Sequence, residues 1–249
     1  MKVLVTGAKG FVGRNLIERL ECEGIDSKPV SIFQYDIDTD PKLLDEYTCE
    51  CDYVFHLAGV NRPKDVKEFM EGNFGFTSTL LQSLENSNNK AGIAITSSIQ
   101  AALDNPYGIS KKAGEELMFE YGARTGAPVT VFRLVNVFGK WCRPNYNSAV
   151  ATFCNNIANG LDITVNDPSV MMHLVHVSDV VTELINASLG RAHYDGRYAT
   201  VPNVYDVPLG TIPKLLYDYK EYGFVNNYGV NNDFAERLYE TFVTYLPEE

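Results

Sequence analysis

The stretch KVLVTGAKGFVG, residues 2–13, decides the fold. Its start is a short, mostly apolar run that predicts a β-strand, and glycines follow at positions 7, 10 and 13. From Phe11 to Leu20 apolar residues recur with helical spacing, which predicts a helix that opens on the third glycine. Glycines placed in this way let the chain turn tightly, approach a pyrophosphate and pack the helix against the strand. The stretch therefore predicts a dinucleotide-binding loop, with the phosphates at the positive end of the helix dipole. The predicted cofactor contacts in this loop are Gly7, Lys9, Gly10, Phe11, Val12 and Gly13.

Strand and helix patterns alternate along the first half of the chain. Further strands are predicted at residues 30–35, 52–57, 93–97 and 128–134, and helices at 69–84 and 107–125. Alternation of this kind implies βαβ units and a parallel sheet. The predicted fold class is therefore α/β, with a Rossmann-type parallel sheet, helices on both faces and a small C-terminal substrate-binding lobe.

The second half of the chain is less regular. Helices are predicted at residues 148–159, 179–188, 209–222 and 234–245, and short strands at 174–177 and 196–201. The segment GKWCRPNYN, residues 139–147, is rich in loop-forming residues and marks the start of the lobe. We predict a single domain over residues 1–249, with a dinucleotide-binding core at about 1–138 and a mainly substrate-binding lobe at about 139–249.

Composition excludes several classes of protein. The net charge of −11 argues against a general nucleic-acid binder, and the 45% hydrophobic content argues against wholesale disorder. No apolar run approaches the roughly 20 residues of a membrane span, and we expect no signal peptide, because Met1 and Lys2 lead straight into the first predicted strand. The odd, scattered set of five cysteines fits a reducing cytoplasm. We predict a cytoplasmic protein without a nucleic-acid or membrane partner, and no metal, because Cys49 and Cys51 lack a second ligand pair.

The end of the second strand bears on the choice between NADP(H) and NAD(H). Asp36 lies there, 23 positions past Gly13, where an acid can bind a ribose 2′-hydroxyl. The alternative is that Asp36 is a solvated loop acid. Lys9, with help from Arg14, can instead meet a 2′-phosphate. After the third strand, small residues let a cofactor lie against the sheet edge. The predicted cofactor contacts there are Leu57, Ala58 and Gly59, and His56 before them is interpreted as a packed strand residue.

A tyrosine and a lysine four residues apart, Tyr107 and Lys111, predict the reacting centre. On a helix they share one face, and a nearby ammonium lowers the pKa of a phenol. Such a pair can give a proton to a carbonyl oxygen and take it back. Ser97 and Ser98 stand at the carboxyl end of the fourth strand, where open α/β sheets bind ligands.

Together, these motifs resemble the extended short-chain dehydrogenase/reductases that act on nucleotide sugars. The segments that carry the resemblance are the glycine loop, the run at 56–59, Ser97-Ser98, Tyr107-x3-Lys111, Arg133-x2-Asn136-x-Phe138-Gly139 and 176–181. Segments 59–63, 97–101, 104–108 and 138–148 resemble, more narrowly, the reductase part of a group of capsule-synthesis enzymes.

This resemblance implies an NAD(P)-dependent oxidoreductase of capsule polysaccharide biosynthesis. It implies that NADPH reduces the C4 ketone of a UDP-4-keto-6-deoxy-N-acetylhexosamine to give UDP-2-acetamido-2,6-dideoxy-L-talose, on the route to UDP-N-acetyl-L-fucosamine. The enzymes of this group also carry a C-terminal cupin. No cupin-like His-x-His pattern occurs in these 249 residues. We therefore expect the cupin to be absent from this chain, through truncation or as a separate protein, and we expect a homodimer.

The resemblance also assigns roles to single residues. Tyr107 is the proton donor, Lys111 assists it and holds the nicotinamide ribose, and Ser98 polarises the carbonyl. Only eight residues separate Ser98 from Tyr107, so Ser97 and Gln100 are alternatives to Ser98. The candidates for contact with the sugar or diphosphate are Arg133, Asn136, Arg143 and Asn145. A strand-end salt bridge is an equal interpretation of Arg133.

Two other functions fit the same motifs. One is a nucleotide-sugar epimerase or dehydratase that retains NAD and returns its hydride within one turnover. The other is a regulator that senses a dinucleotide without catalysis, against which the intact Tyr107 and Lys111 argue.

Overall fold

The structure, a computed structural model, describes residues 1–247. These residues form two compact units. The sheet unit comprises residues 1–134 and 181–200, and the second unit comprises residues 135–180 and the chain from 201 onward. The sequence places residues 181–200 in the lobe, whereas in the structure they belong to the sheet unit because two short strands there extend its sheet.

The elements follow the predicted alternation in the first half of the chain. The strands are β1 (Lys2–Thr6), β2 (Ser31–Tyr35), β3 (Tyr53–His56), β4 (Gly92–Ser98), β5 (Val129–Leu134), β6 (Asn136–Phe138), β7 (Met171–His176), β8 (His193–Asp195), β9 (Tyr198–Thr200) and β10 (Tyr205–Pro208). The α-helices are α1 (Phe11–Glu23), α2 (Lys42–Glu50), α3 (Lys67–Met70), α4 (Phe76–Asn86), α5 (Pro106–Thr125), α6 (Ala149–Ala158), α7 (Val177–Ser188), α8 (Thr211–Tyr222) and α9 (Asn232–Val243).

The sheet unit is built on a seven-stranded sheet with the order β2-β1-β3-β4-β5-β9-β8. All neighbouring pairs are parallel except β8 with β9, which form an antiparallel hairpin. The chain moves from β1 to β2 on one side and then to β3 on the other side of β1. The carboxyl ends of β1 and β3 therefore flank the point where strand order reverses, which is where open α/β sheets bind ligands. The predicted α/β class with a Rossmann-type sheet is confirmed.

Both faces of this sheet are buried. Leu4 and Val54 join a core cluster with residues of α2, α4 and α5 on one face. Val3 and Val5 point to the opposite face, because side chains alternate along a strand, and they too are fully buried. Leu16 of α1 is equally buried. Burial on both faces explains why the strands read as short apolar runs.

The second unit has its own core. Its three-stranded sheet has the order β10-β7-β6, and α6, α8 and α9 supply most of the buried apolar side chains. Phe138, Phe234 and Tyr205 form a cluster of aromatic rings whose centroids lie 5.5 to 6.4 Å apart.

Two elements differ from the predictions in a way that affects the site. The predicted helix at 69–84 consists of α3, one turn of π-helix at Glu71–Gly75, and α4. The eight residues between Ser98 and Tyr107 contain a 3₁₀ turn at Ile99–Ala102. Hydrophobic periodicity does not separate these helix types, because the apolar face stays nearly continuous through a single wider or tighter turn.

Candidate active site

The glycine loop between β1 and α1 packs against the end of β3. Gly7 has a φ of +70°, and a Cβ on it would lie 2.7 Å from the Ala58 nitrogen and 2.8 Å from the Leu57 carbonyl carbon. A Cβ on Gly13 would lie 2.1 Å from the Gly7 oxygen. Backbone atoms cannot move aside cheaply, so only glycine fits at both positions. The two close approaches explain why the loop needs these glycines.

The first turn of α1 suits an anion. Gly10 is its N-cap and makes no side-chain cap hydrogen bond, and no acidic residue lies in the first turn. The first amides of a helix lack partners within the helix and carry the positive end of its dipole. The loop therefore fits the pyrophosphate of a dinucleotide, as the sequence predicts.

Two acidic residues that follow β2, Asp36 and Asp38, contact Lys9. Asp36 accepts hydrogen bonds from the backbone nitrogens of Lys9, at 2.7 Å, and Ile37, at 2.8 Å. The Lys9 ammonium forms an ion pair with Asp38, and this hydrogen bond raises the pKa of Lys9. Asp36 thus fastens the glycine loop to the end of β2. A 2′-phosphate that binds Lys9 has to compete with Asp38.

Tyr107 lies in the first turn of α5, beside the end of β4. Asn105 caps this helix, since its Oδ1 accepts a hydrogen bond from the Gly108 nitrogen at 2.8 Å. A Cβ on Gly108 would lie 2.2 Å from the Gln100 oxygen, so glycine there lets α5 approach the 3₁₀ turn closely. The short connection from Ser98 is therefore folded back, and the Ser98 side chain is near enough to the Tyr107 phenol to influence its pKa.

The pKa of Tyr107 departs from the sequence-based expectation. Burial raises the pKa of Tyr107, and the hydrogen bond with Ser98 lowers it by less. The predicted lowering by Lys111 is wrong for the chain by itself, because the Lys111 ammonium instead donates to the Thr96 oxygen at 2.9 Å. A raised pKa keeps the phenol protonated, which suits a group that must donate a proton.

The Lys111 ammonium lies close to Gly59, which follows the end of β3. A Cβ on Gly59 would lie 3.3 Å from its Nζ, so the glycine leaves room for the ammonium. Burial lowers the pKa of Lys111 to about 8, while the charge of Glu115 raises it. Lys111 is therefore a cation below about pH 8.

Two of the three candidates for the polarising group, Ser97 and Ser98, differ in what their hydroxyls contact. Ser97 is buried and donates to Glu115 at 2.6 Å, so its hydroxyl is already used. Ser98 lies near Tyr107, whose pKa it lowers, and its hydroxyl accepts from the Gln100 nitrogen at 3.2 Å. Ser98 stays the predicted member of the reacting group.

A buried ion pair lies one helical turn beyond Lys111. Glu115 is fully buried, and its carboxylate accepts from the Arg133 Nε at 3.0 and 3.2 Å and from Nη2 at 2.6 Å. The Arg133 guanidinium lies 3.8 Å from the centre of the Tyr198 ring. These contacts support the salt-bridge interpretation of Arg133. Sequence reasoning missed Glu115, although its position four residues after Lys111 on one helix was a usable signal.

The other predicted substrate contacts belong to the second unit. Asn136, Arg143 and Asn145 are exposed. Asn145 has a φ of +54°, and its backbone nitrogen donates to Thr152 at 3.0 Å. Nearby, Trp141 has a φ of +68°, an uncommon conformation for a bulky residue. Their roles toward a substrate stay predictions.

Among residues 1–247, no group of three or more His, Cys, Asp or Glu side chains is arranged to hold a metal ion. Among these same residues, no helix combines the length and apolar character that crossing a bilayer requires.

The sequence of this chain is similar to those of known proteins. The model of the NAD dependent epimerase/dehydratase family matches residues 3–189. The UDP-2-acetamido-2,6-beta-L-arabino-hexul-4-ose reductase of Pseudomonas aeruginosa (strain PA103) is 39% identical over 250 residues, which cover 100% of this chain and 66% of that protein.

Two solved structures are also similar to the structure of this chain. The capsular polysaccharide assembling protein CapF of Staphylococcus aureus superposes with a TM-score of 0.87 and 40% identity, over 99% of this chain and 65% of that one. RMD of Pseudomonas aeruginosa, complexed with NADPH, has a TM-score of 0.75 at 20% identity, over 99% and 100% of the two chains, which shows a shared fold. The chain thus spans slightly less than two thirds of the reductase and of CapF. The family match and the glycine loop give one conclusion: the chain belongs to the NAD dependent epimerase/dehydratase family.

Proposed function

We propose that this chain reduces the C4 ketone of a UDP-4-keto-6-deoxy-N-acetylhexosamine with NADPH. The product is UDP-2-acetamido-2,6-dideoxy-L-talose, on the route to UDP-N-acetyl-L-fucosamine. The observation that carries the proposal is the group formed by Ser98, Tyr107 and Lys111 at the carboxyl end of β4, in the unit that holds the glycine loop. The printed name of the Pseudomonas relative supports the substrate class.

The residues divide the work of a ketone reduction. The loop from Gly7 to Gly13 holds the pyrophosphate, and bound NADPH supplies a hydride to the carbonyl carbon. Ser98 donates a hydrogen bond to the carbonyl oxygen, and Tyr107 gives that oxygen its proton as the alkoxide forms. The Lys111 ammonium, which donates to the Thr96 oxygen, holds the nicotinamide ribose beside Tyr107. The ketone gains one hydride and one proton, and NADP⁺ and an alcohol result.

Lys111 gives this reaction a pH dependence. Its pKa is about 8 in the chain, so the ammonium is present below that pH and is lost above it. Tyr107, whose pKa is raised, stays protonated in the pH range in which Lys111 loses its proton. We expect kcat/KM for reduction to be flat below pH 8 and to fall about tenfold per pH unit above it. In Lys111→Met the whole profile should be lower and the descending limb near pH 8 should vanish; a wild-type limb retained there would contradict the assignment.

Lys9 gives a test of cofactor preference. Lys9→Ala should weaken NADPH binding about fivefold and NADH binding little, since only NADPH carries the 2′-phosphate. Asp38→Asn removes the carboxylate that pairs with Lys9 and should shift the preference toward NADPH. Fluorescence titration of each variant with both cofactors measures this. Equal losses for NADPH and NADH in Lys9→Ala would show that Lys9 does not contact the phosphate.

The rival function is an epimerase or dehydratase that retains NAD. The pairing of Lys9 with Asp38 favours it, because this arrangement leaves less positive charge for a 2′-phosphate. NADPH oxidation at 340 nm against a panel of UDP-4-keto-6-deoxy sugars separates the two. A reductase oxidises NADPH with one of these sugars, whereas the rival purifies with NAD and consumes no NADPH.

We propose further that the protein works in the cytoplasm as a homodimer, without nucleic acid or membrane. The net charge of −11 supports the absence of a nucleic-acid partner. Apolar side chains stand exposed on and just before α5, among them Leu103 and Ile109, and they are suited to a contact between two copies. Light scattering coupled to gel filtration measures the mass directly.

A further inference from the structure

His56, the last residue of β3, is buried between two threonines. Its Nδ1 lies 2.7 Å from the Thr6 hydroxyl at the end of β1, and its Nε2 lies 2.8 Å from the Thr77 hydroxyl in α4. His56 is 1% exposed, and both threonines are fully buried. The mechanism proposed above uses none of these three side chains.

The neighbouring bonds fix the direction of each hydrogen bond. The Thr77 hydroxyl donates its single proton to the Asn73 carbonyl at 2.7 Å, so it can only accept from His56 Nε2. Burial lowers the pKa of His56 to about 3, and the neutral ring then has one N–H, on Nε2. His56 Nδ1 must therefore accept from the Thr6 hydroxyl. Thr6 in turn accepts from the Ala58 nitrogen at 3.4 Å.

The chain of bonds continues through Asn73 to the catalytic helix. Asn73, in the π-helical turn, accepts from the Val60 nitrogen at 2.9 Å and donates to the Val60 oxygen at 3.0 Å. Its amide also donates to the Ser110 hydroxyl at 3.0 Å, and Ser110 donates to the Tyr107 carbonyl at 2.7 Å. Every donor and acceptor in this series of hydrogen bonds therefore has one consistent role.

Segment 57–60 is also closely packed on both of its sides. On one side Gly7 lies so close to it that a Cβ would be 2.7 Å from the Ala58 nitrogen. On the other side a Cβ on Gly59 would be 2.9 Å from Asn73 Oδ1 and 3.3 Å from Lys111 Nζ. This segment is thus fitted between the glycine loop and the residues around Lys111. Because protein interiors are close-packed, a shift of this segment would disturb both neighbours.

We propose that His56 is a positioning residue, which holds segment 57–60 between the glycine loop and the Tyr107 helix through this one-way chain of hydrogen bonds. The inference rests on the proposed dinucleotide site. It assigns Thr6, Thr77 and Asn73 to the same task. Breaking the chain at any link lets the segment move, so cofactor affinity falls.

Substitutions at Thr77 test this with matched controls. Thr77→Val keeps the shape but removes the hydroxyl, and we expect the Kd for NADPH to rise about tenfold. Thr77→Ser keeps the hydroxyl and should bind within about threefold of wild type. Thr48→Val removes another fully buried threonine hydroxyl, one bonded to Leu44 and Ser83 in the same unit. Its Tm should fall, while its Kd should stay unchanged.

The outcomes separate positioning from simple stability. Kd is measured well below each Tm, by fluorescence titration with NADPH and NADH. A Thr77→Val protein with a lowered Tm and a wild-type Kd would overturn the proposal. The series of hydrogen bonds would then stabilise the fold without affecting cofactor binding. A wild-type chain that binds neither cofactor would overturn the proposed function, and this inference with it.

A measurement on the unaltered protein covers the case in which Thr77→Val does not fold. In ¹⁵N-labelled protein at pH 6, the ring of His56 should give the signals of a neutral Nε2–H tautomer. The other three histidine rings are identified with His→Gln variants at 173, 176 and 193. An Nδ1–H tautomer or a charged ring at His56 would contradict the directions on which the proposal stands.

Discussion

Tyr107→Phe should slow ketone reduction by at least about 10²-fold while leaving NADPH affinity nearly unchanged. The substitution removes only the hydroxyl, whose pKa Ser98 influences and which provides the proton in the proposed reaction. The ring keeps its packing against Phe69, whose centroid lies 5.6 Å away. Single-turnover rates with NADPH and the keto sugar measure the chemical step apart from binding.

Tyr121→Phe is the matched control for this prediction. Tyr121 lies on the same helix, α5, and its hydroxyl donates to the Asn89 oxygen at 3.4 Å, away from Ser98. Its loss should leave turnover unchanged below the unfolding temperature. Near-normal reduction by Tyr107→Phe would remove Tyr107 from the mechanism and leave the proton donor to be found elsewhere.

Gly13→Ala should abolish measurable binding of NADPH and NADH, with Kd raised at least about 100-fold. The added Cβ would lie 2.1 Å from the Gly7 oxygen and 3.0 Å from both the Cα and the oxygen of Ala8. All three are backbone atoms of the loop that holds the pyrophosphate, so α1 and the loop must separate. We expect a loss of several kcal/mol in unfolding free energy as well, as in other overpacked sites. Isothermal titration and denaturant unfolding measure the two effects.

Gly126→Ala is the control for Gly13→Ala. Gly126 ends α5 with a φ of +76°, and a Cβ there meets nothing within 4 Å. The strain of a left-handed alanine costs about 1 kcal/mol and should leave cofactor affinity intact. A Gly13→Ala protein that binds NADPH as wild type does would show that the loop is not the pyrophosphate site.

The sheet and the glycine loop are predictable from sequence because each rests on local signals. Residues 2–13 contain a strand, a glycine pattern and a helix start in immediate succession, and the structure has β1 and α1 there. The helix that carries Tyr107 and Lys111 is equally local. Its observed bounds, Pro106–Thr125, begin at a proline that a sequence can show.

Contacts between distant segments are less accessible to sequence reasoning. Ser97, Glu115 and Arg133 meet from two strands and a helix, and only the fold brings them together. The segment with β8 and β9 is placed in the lobe by the sequence because β5, with which β9 pairs, ends about sixty residues earlier. Spacing along the chain does not reveal such a return.

Electrostatic direction is also decided by the fold. Proximity in sequence suggests that Lys111 lowers the pKa of Tyr107, but the ammonium is bound to the Thr96 oxygen and burial dominates at the phenol. His56 looks like an ordinary strand residue by pattern. Its threonine partners lie 50 positions before it and 21 positions after it.

Transfer of deuterium from NADPH tests the central claim most directly. The chain is incubated with a UDP-4-keto-6-deoxy-N-acetylhexosamine and NADPH deuterated at the transferring C4 position, and the sugar is analysed by mass spectrometry and NMR. The account predicts one deuterium at sugar C4 for each NADPH oxidised. A converted sugar without deuterium, formed while the NADPH remains unoxidised, would contradict it and would identify an enzyme that retains its own NAD.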